Sequence, residues 1–230
     1  MKHIALVAFG LVCSSTIAHA TVTTFTSASD FFTANPSASL IENFEDSDPA
    51  LRYTPLSSYT GPGGEITFTP ISSYPYNPNI FLIPPGANEP FGPGVHPTSI
   101  VMAAIGNEDF VGTLATPTYA LGFDVLRNAA LPLVLSFFDG QDLLGTIVFD
   151  TPPPDGNYYG FAGITSTQPI TSFRWTANDG QNYHTAIDNV YAGPAVPGVP
   201  EPGTWAMMLI GFGAVGAALR WKRTRLPATS

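Results

Sequence analysis

Proline and glycine interrupt this sequence so often that its middle cannot be built from long helices. The chain has 23 prolines and 22 glycines among 230 residues, and short β-branched or aromatic runs recur between them. Proline lacks a backbone hydrogen-bond donor, and glycine weakens helices and strands. Both residues therefore tend to end a helix or a central strand. The pattern predicts an all-β domain, a jelly-roll-like β-sandwich of about ten strands.

The predicted strands share a β-branched or aromatic core bounded by turn residues. They are Leu40–Phe44, Glu65–Thr69, Ile80–Ile83, Ser99–Ala103, Tyr119–Leu126, Leu133–Phe138, Leu143–Phe149, Gly160–Thr165, Thr171–Ala177 and Thr185–Tyr191. Asp139-Gly140 supplies the positive φ for a hairpin between two of them. Residues 61–64 and 84–97 are predicted to be loops, and long loops are where we expect a binding surface.

One short helix is predicted at Ser27–Ala34. Ser29 is its expected N-cap, with Phe31 and Phe32 packing inward. Trp175 alternates within a strand and is predicted to lie in the core.

The charge balance excludes one large class of partner. Residues 21–199 contain three arginines, no lysine and sixteen acidic residues, a net charge of −13. Nucleic-acid binding needs clustered cations and is therefore excluded, whereas divalent cations and neutral sugars are compatible with this surface. The one cysteine, Cys13, lies in the predicted leader, so the mature domain should have neither disulfides nor thiolate chemistry.

The start of the chain has the pattern of a secretory signal peptide, residues 1–20. Lys2 precedes an apolar run from Ile4 to Val12 that is too short to span a bilayer. Small residues at Ala18 and Ala20 predict cleavage by signal peptidase after Ala20. A lipoprotein signal at Cys13 is the competing interpretation, but Val12 stands where a small residue is expected.

The end of the chain has the pattern of a single transmembrane helix at about residues 205–221. The stretch is uncharged except for Arg220, and a basic cluster follows it. Its fifteen uncharged residues rise roughly 22 Å as a helix, which can span with flanking Trp anchors. The basic end should stay cytoplasmic, so the domain before it faces outward. A Pro/Gly linker, residues 193–200, separates this helix from the β-sandwich of residues 21–192.

These C-terminal features occur in a characteristic order: a Pro-Glu-Pro triplet, an apolar helix and a basic cluster. The residues are Pro200, Glu201, Pro202, Arg220, Lys222, Arg223 and Arg225. Together, residues 201–226 resemble the PEP-CTERM sorting signal. That resemblance implies processing near the triplet by an exosortase, in a Gram-negative bacterium that makes exopolysaccharide. An ordinary single-pass anchor is the alternative.

A glycine pattern, Gly211 to Gly216, matches the dinucleotide fingerprint by accident. No strand precedes it and no acid follows it for a ribose.

Two short motifs suggest a metal site. Asn43-Phe44-Glu45 and Ile187-Asp188-Asn189-Val190 resemble the first and last strands of jelly-roll carbohydrate-binding modules and galactose-binding-like domains. The resemblance implies that these strands are neighbours and that Glu45 and Asp188 bind a structural calcium, completed by Asp46 or a backbone carbonyl. Calcium prefers several oxygen ligands, carboxylates included. The alternative interpretation is that Glu45 ends a strand in solvent and that Asp188 forms a hydrogen bond with a turn.

No catalytic residue is predicted. Glu108-Asp109 and the pair Asp179 and His184 are acid–base candidates, but no hydrolase motif accompanies them. Tyrosines in Pro/Gly-rich stretches could stack on sugar rings. They are Tyr53, Tyr59, Tyr74, Tyr76, Tyr158, Tyr159 and Tyr183.

The sequence therefore predicts a non-enzymatic, exported β-sandwich of the cell envelope or extracellular matrix that binds exopolysaccharide, with calcium as its only cofactor. The rival interpretation is a secreted polysaccharide hydrolase with carboxylates in the loops between residues 84 and 110. An ice-binding protein is a third option, but the regular Thr-rich repeat of a flat solenoid is missing.

Overall fold

The computed structural model describes residues 21–71, 79–86, 97–105, 109–126, 133–149, 159–177, 186–194, 207–214 and 220. The described residues between 21 and 194 form an all-β, antiparallel domain with one short α-helix, as the sequence predicts. The strands are β1 (Val22–Phe25), β2 (Ser39–Glu42), β3 (Tyr59–Thr60), β4 (Ile66–Pro70), β5 (Asn79–Ile83), β6 (Val101–Ile105), β7 (Phe110–Leu126), β8 (Leu133–Asp139), β9 (Asp142–Phe149), β10 (Tyr159–Ala177) and β11 (Ala186–Gly193). The helix α1 is Ala28–Ala34.

Two long strands, β7 and β10, run through both layers of the sandwich. Their pairing is interrupted by register shifts between Thr165 and Ser172 of β10. Pro117 and Pro169 lie in these irregular stretches, where a missing backbone donor breaks no ladder. The sequence prediction began β7 at Tyr119 and divided β10 in two, because these prolines look like strand ends.

The irregular stretches separate a first layer from a second layer. In the first layer, β3, β4, the Phe110–Leu114 part of β7, the Ser172–Ala177 part of β10, β8 and β9 follow one another. In the second layer, β1, the other half of β10, the other half of β7 and β11 follow one another, and β2 and β6 then pair with β11 at different points along its length. The outermost strand beside β6 is β5.

Aromatic side chains fill the space between the layers. Phe123 of the second layer lies 4.8 Å from Phe173, 6.3 Å from Phe137 and 6.4 Å from Trp175 of the first, ring centre to ring centre. All four rings are buried. Trp175 is thus a core residue, as predicted, and these contacts establish the sandwich.

Helix α1 covers part of the outer face of the second layer. Its Phe31 packs over a cross-strand pair of glycines, Gly122 and Gly163, where a Cβ would come within 3.1 Å and 2.7 Å of the Phe31 ring, respectively. The N-cap is Ser27, whose hydroxyl accepts a hydrogen bond from the Asp30 amide, so the prediction of Ser29 was wrong. Asn35 closes the helix, and its side chain accepts a hydrogen bond from the hydroxyl of Thr165.

The hairpin between β8 and β9 is confirmed. Asp139 pairs with Asp142, and Gly140 between them has a φ of +58°. Strand β1, which the prediction missed, is a four-residue segment with two exposed threonines at its centre, and it pairs with β10.

The described residues of the C-terminal segment, 207–214, are helical and exposed, and Arg220 is also helical. Within the described residues, no helix is long and apolar enough to cross a membrane. The predicted cleavage residues Ala18 and Ala20 lie outside the described residues, as do the sorting residues Pro200, Glu201, Pro202, Lys222, Arg223 and Arg225.

Candidate functional site

The two predicted motifs come together through a short segment that precedes β6. Strands β2 and β11 are neighbours, with Glu42 opposite Val190. The amide of Ile100 donates a hydrogen bond of 2.7 Å to Oε1 of Glu45, and the hydroxyl of Ser99 donates one to Oδ2 of Asp188. Residues 99 and 100 therefore link Glu45 and Asp188, which are 143 positions apart in the sequence.

Both motifs contain a non-glycine residue in the left-handed backbone region. Phe44 has a φ of 62° and Asn189 a φ of 45°. Each amide donates to a nearby carboxylate: Phe44 to Glu42 at 2.6 Å, and Asn189 to Asp188 at 2.7 Å. Such strain persists only where surrounding contacts hold it, and it concentrates at functional sites. Here the buried Phe44 ring and the two carboxylates hold it.

Asp188 also faces a second carboxylate that sequence reasoning missed. Asp124 of β7 is its direct cross-strand partner, on the outer face of the second layer. Asn189 lies beside them and donates from Nδ2 to Oδ2 of Asp124 at 2.9 Å. Like charges directly opposite one another destabilise a sheet, so this arrangement costs stability when both groups are ionised.

The electrostatics of the pair follow from burial. Burial raises the pKa of Asp188 to about 6; the Asp124 and Glu45 carboxylates raise it further, while hydrogen bonds from Ser99 and Asn189 oppose the rise. Burial also raises the pKa of Asp124, against the hydrogen bond from Asn189. Asp188 thus carries a proton more readily than an exposed aspartate does.

The residues present supply oxygen donors of the kind calcium prefers, but they are largely engaged. Both oxygens of Asp188 and one oxygen of Glu45 accept hydrogen bonds from the protein. Within the described part of the chain, no group of three or more His, Cys, Asp or Glu side chains is positioned to hold a metal ion. Calcium at Glu45 and Asp188 therefore stays a prediction, and Asp46 makes no described contact with either.

The described tyrosines divide into exposed and buried groups. Tyr159, at the start of β10, is 43% exposed, and its partial burial raises its pKa, as does the Asp188 carboxylate. Tyr53 is 54% exposed, whereas Tyr59 is in the core. Tyr74, Tyr76, Tyr158 and Tyr183 lie outside the described residues. Tyr159 is thus an exposed aromatic ring in the same neighbourhood as Asp188.

Of the four catalytic candidates, the structure describes only Asp109. Asp109 is buried and forms an ion pair with Arg174, with 3.6 Å between Oδ2 and Nη2. Glu108, Asp179 and His184 lie outside the described residues. Asp109 is thus a buried ion-pair partner in the first layer.

A further buried carboxylate, Glu42, lies where β2 ends. Burial raises its pKa, and the carboxylates of Asp46 and Glu65 raise it further, while hydrogen bonds from Phe44 and Asn43 lower it. A Cβ at Gly61 would come within 1.8 Å of Oε2 of Glu42, so a side chain there would have to displace the Glu42 carboxylate. The role of Glu42 is to hold the turned backbone of Phe44.

Residues 198–223 match the model of the PEP-CTERM protein-sorting motif. The match includes Pro200, Glu201, Pro202, Arg220, Lys222 and Arg223, and Arg225 lies beyond it. This motif marks the chain as a protein that is exported and processed at the cell surface.

Among curated proteins, none matches the sequence. Two solved structures resemble the domain. One is a family 11 carbohydrate-binding module from Clostridium thermocellum in complex with a β-1,3-1,4-mixed-linked tetrasaccharide, with a TM-score of 0.37 and 11% identity, covering 69% of this chain and 96% of that one. The other is the carbohydrate-binding module TmCBM61 in complex with β-1,4-galactotriose, with a TM-score of 0.33 and 14% identity, covering 65% of this chain and 92% of that one.

Proposed function

We propose that this chain is an exosortase substrate of a Gram-negative bacterium, displayed on or released from the envelope as a non-enzymatic, polysaccharide-binding β-sandwich. The observation that carries the proposal is the sorting motif at residues 198–223, directly after the sandwich. Proline on either side of Glu201 favours an extended backbone, which suits recognition by a protease.

Mass spectrometry of the protein from its native host tests the sorting part. We expect a mature chain that begins at Thr21 and ends near the Pro-Glu-Pro triplet. Replacing Pro200, Glu201 and Pro202 by alanine should leave the C-terminal segment attached. An intact tail on the unaltered protein, in a strain with active exosortase, would count against exosortase processing.

The outer face of the second layer supports the binding part. Tyr159 offers an exposed ring, and the half-buried Asp124 carboxylate in the same part of this face can accept hydrogen bonds from sugar hydroxyls. Apolar ring faces beside polar acceptors are what a pyranose requires, since it has both apolar and hydroxyl-bearing surfaces.

Affinity electrophoresis through gels containing host exopolysaccharide tests the binding part. Tyr159→Ala should weaken retardation roughly fivefold to tenfold, the scale of one lost aromatic contact. Tyr53→Ala removes a ring that is even more exposed but lies elsewhere, and it should not weaken the retardation. Shortening of the polysaccharide during incubation would support the rival hydrolase, and equal effects of the two variants would remove Tyr159 from the site.

Calcium is part of this proposal, with Glu45 and Asp188 as its ligands. Titration calorimetry of chelated protein should give a heat of binding that Glu45→Gln and Asp188→Asn each abolish. Saturation at a hundredfold excess over Kd would stabilise the fold by about 2.7 kcal/mol. If no heat of binding is measured, the calcium proposal is wrong. The hydrogen bonds from residues 99 and 100 are then the link between Glu45 and Asp188.

A further inference from the structure

The outer face of the first layer differs in chemistry from the rest of the domain. The strand registers direct one set of side chains outward from this layer. We call this set the hydroxyl face: Thr60, Thr67, Thr69, Val111, Thr113, Val134, Ser136, Phe138, Leu143, Thr146, Val148, Ser172, Arg174 and Thr176. Every one of these residues is exposed or half-buried.

The hydroxyl face contains no carboxylate, although residues 21–199 carry a net charge of −13. Arg174 is its single charged member, and that charge is paired with Asp109. Two copies of an acidic protein repel one another over most approaches. Contact along this layer avoids setting carboxylate against carboxylate.

Strand β9 forms the edge of this layer. Within the described residues, it pairs only with β8. It is eight residues long, whereas the edge strands β1 and β3 have four and two residues, and β5 is bridged on its outer side by Arg52 and Leu56. Natural edge strands are usually blunted by shortness, proline, charged side chains or bulges. In β9 the charge of Asp142 and the bulge at Leu144 lie at its start, and the stretch from Gly145 to Val148 has none of these features.

The exposed apolar side chains of this layer also concentrate on β9. Leu143 is 59% exposed and Val148 is 51% exposed, and both belong to the hydroxyl face. The bulge at Leu144 leaves residues 145–149 as the regular part of the strand. An open edge therefore coincides with exposed aliphatic surface.

We propose that β9 pairs antiparallel with β9 of a second copy of this chain, which joins the two first layers into one continuous sheet. Antiparallel pairing of identical strands about a two-fold axis is self-complementary. Centred on Ile147, it sets Val148 of each copy opposite Thr146 of the other, a β-branched cross-strand pair. This inference goes beyond the proposed function and does not rest on it.

Disulfide trapping in the full chain tests the pairing. In a Cys13→Ser background, Thr146→Cys and Val148→Cys proteins are mixed and oxidised, because cross-strand Cβ atoms lie close enough for a disulfide. We expect a covalent dimer in this mixture. Thr113→Cys, on the same face but in its middle, should not crosslink with either. No dimer in the mixture, or equal dimer with Thr113→Cys, overturns the proposal.

Sedimentation of the full chain without cysteine substitutions gives a second measure. Val148→Lys sets a cation at the edge and should weaken self-association at least tenfold, that is, by about 1.4 kcal/mol or more. Thr113→Lys adds the same charge to the same face and should leave the dimer intact. Circular dichroism establishes that both variants are folded. A dimer unaffected by Val148→Lys, or lost equally in both, contradicts edge pairing.

Discussion

The two outer faces of the sandwich differ in how they are covered and charged, although the same two long strands contribute to both. The second layer is covered by helix α1 and contains the Asp124 and Asp188 pair, two glycines and strained backbone at Asn189. The first layer is an open face of hydroxyl and aliphatic side chains. Because β7 and β10 run through both layers, the contrast arises from the covering and the charges, not from separate domains. Substitutions on the outer face of the second layer should therefore lower the stability of the domain more than substitutions on the outer face of the first layer.

The largest expected effect is on the covering helix. Phe31→Ala should lower the free energy of unfolding by about 3–5 kcal/mol, because a fully buried ring is lost. That ring packs on Gly122 and Gly163, which we call the glycine platform. Urea unfolding followed by circular dichroism measures it. Phe32→Ala, whose ring is only half-buried, is the matched control and should cost clearly less. Equal losses would mean that Phe31 is not the anchor.

The next largest loss of stability is expected from a substitution in the glycine platform. Gly163→Ala would bring a Cβ within 2.7 Å of the Phe31 ring and should cost about 2–3 kcal/mol through overpacking. Gly63→Ala meets only the flexible end of Glu65 and should stay within about 0.5 kcal/mol. Thermal unfolding of both variants checks this. A neutral Gly163→Ala would show that the helix shifts freely.

The carboxylate pair predicts a pH dependence. The pKa of Asp188 is raised to about 6, so the folded state holds its proton more tightly than the unfolded chain does. The contribution of Asp188 to stability is therefore greatest below the unfolded pKa and falls as pH rises from about 4 to 6, by on the order of 2–3 kcal/mol. Asp188→Asn should flatten this fall, measured in chelator.

Ser99→Ala provides the control for this pH dependence. It removes a hydrogen bond that favours the ionised form of Asp188, so it should move the end of the fall to higher pH. A fall that neither variant changes would assign the pH dependence to other groups.

The smallest effect is expected on the open face. Arg174→Ala should cost about 0.5–1 kcal/mol because its ion pair with Asp109 lies partly in solvent. The loss should shrink in 1 M salt. Thr113→Ala should be neutral within about 0.5 kcal/mol. A large loss from Thr113→Ala would contradict the tolerance of this face.

The sequence predicts much of this fold because turn residues and strand residues alternate so clearly. The hairpin at Gly140, the core position of Trp175 and the meeting of the Glu45 and Asp188 motifs could be anticipated. The first half of β7 could not, since Pro117 looks like a strand end, although it lies where the strand passes between layers.

The site was less predictable than the fold. Asp124 stands opposite Asp188 only because of the register between β7 and β11, and no local pattern marks it. Ser99 likewise approaches Asp188 from a segment 89 residues away. The glycine pair under Phe31 depends on the register of β7 with β10, which hydrophobic periodicity does not determine.

The position of β11 has a mechanical consequence. The chain leaves the sandwich from this strand toward the sorting motif, and β11 is bonded to β7 on one side and to β2 and β6 on the other. A force that pulls β11 along its length therefore acts on the hydrogen bonds of both ladders at once. An edge strand, by contrast, can be separated from its single neighbour one hydrogen bond after another. A force on the end of β11 is therefore resisted where the chain leaves the sandwich.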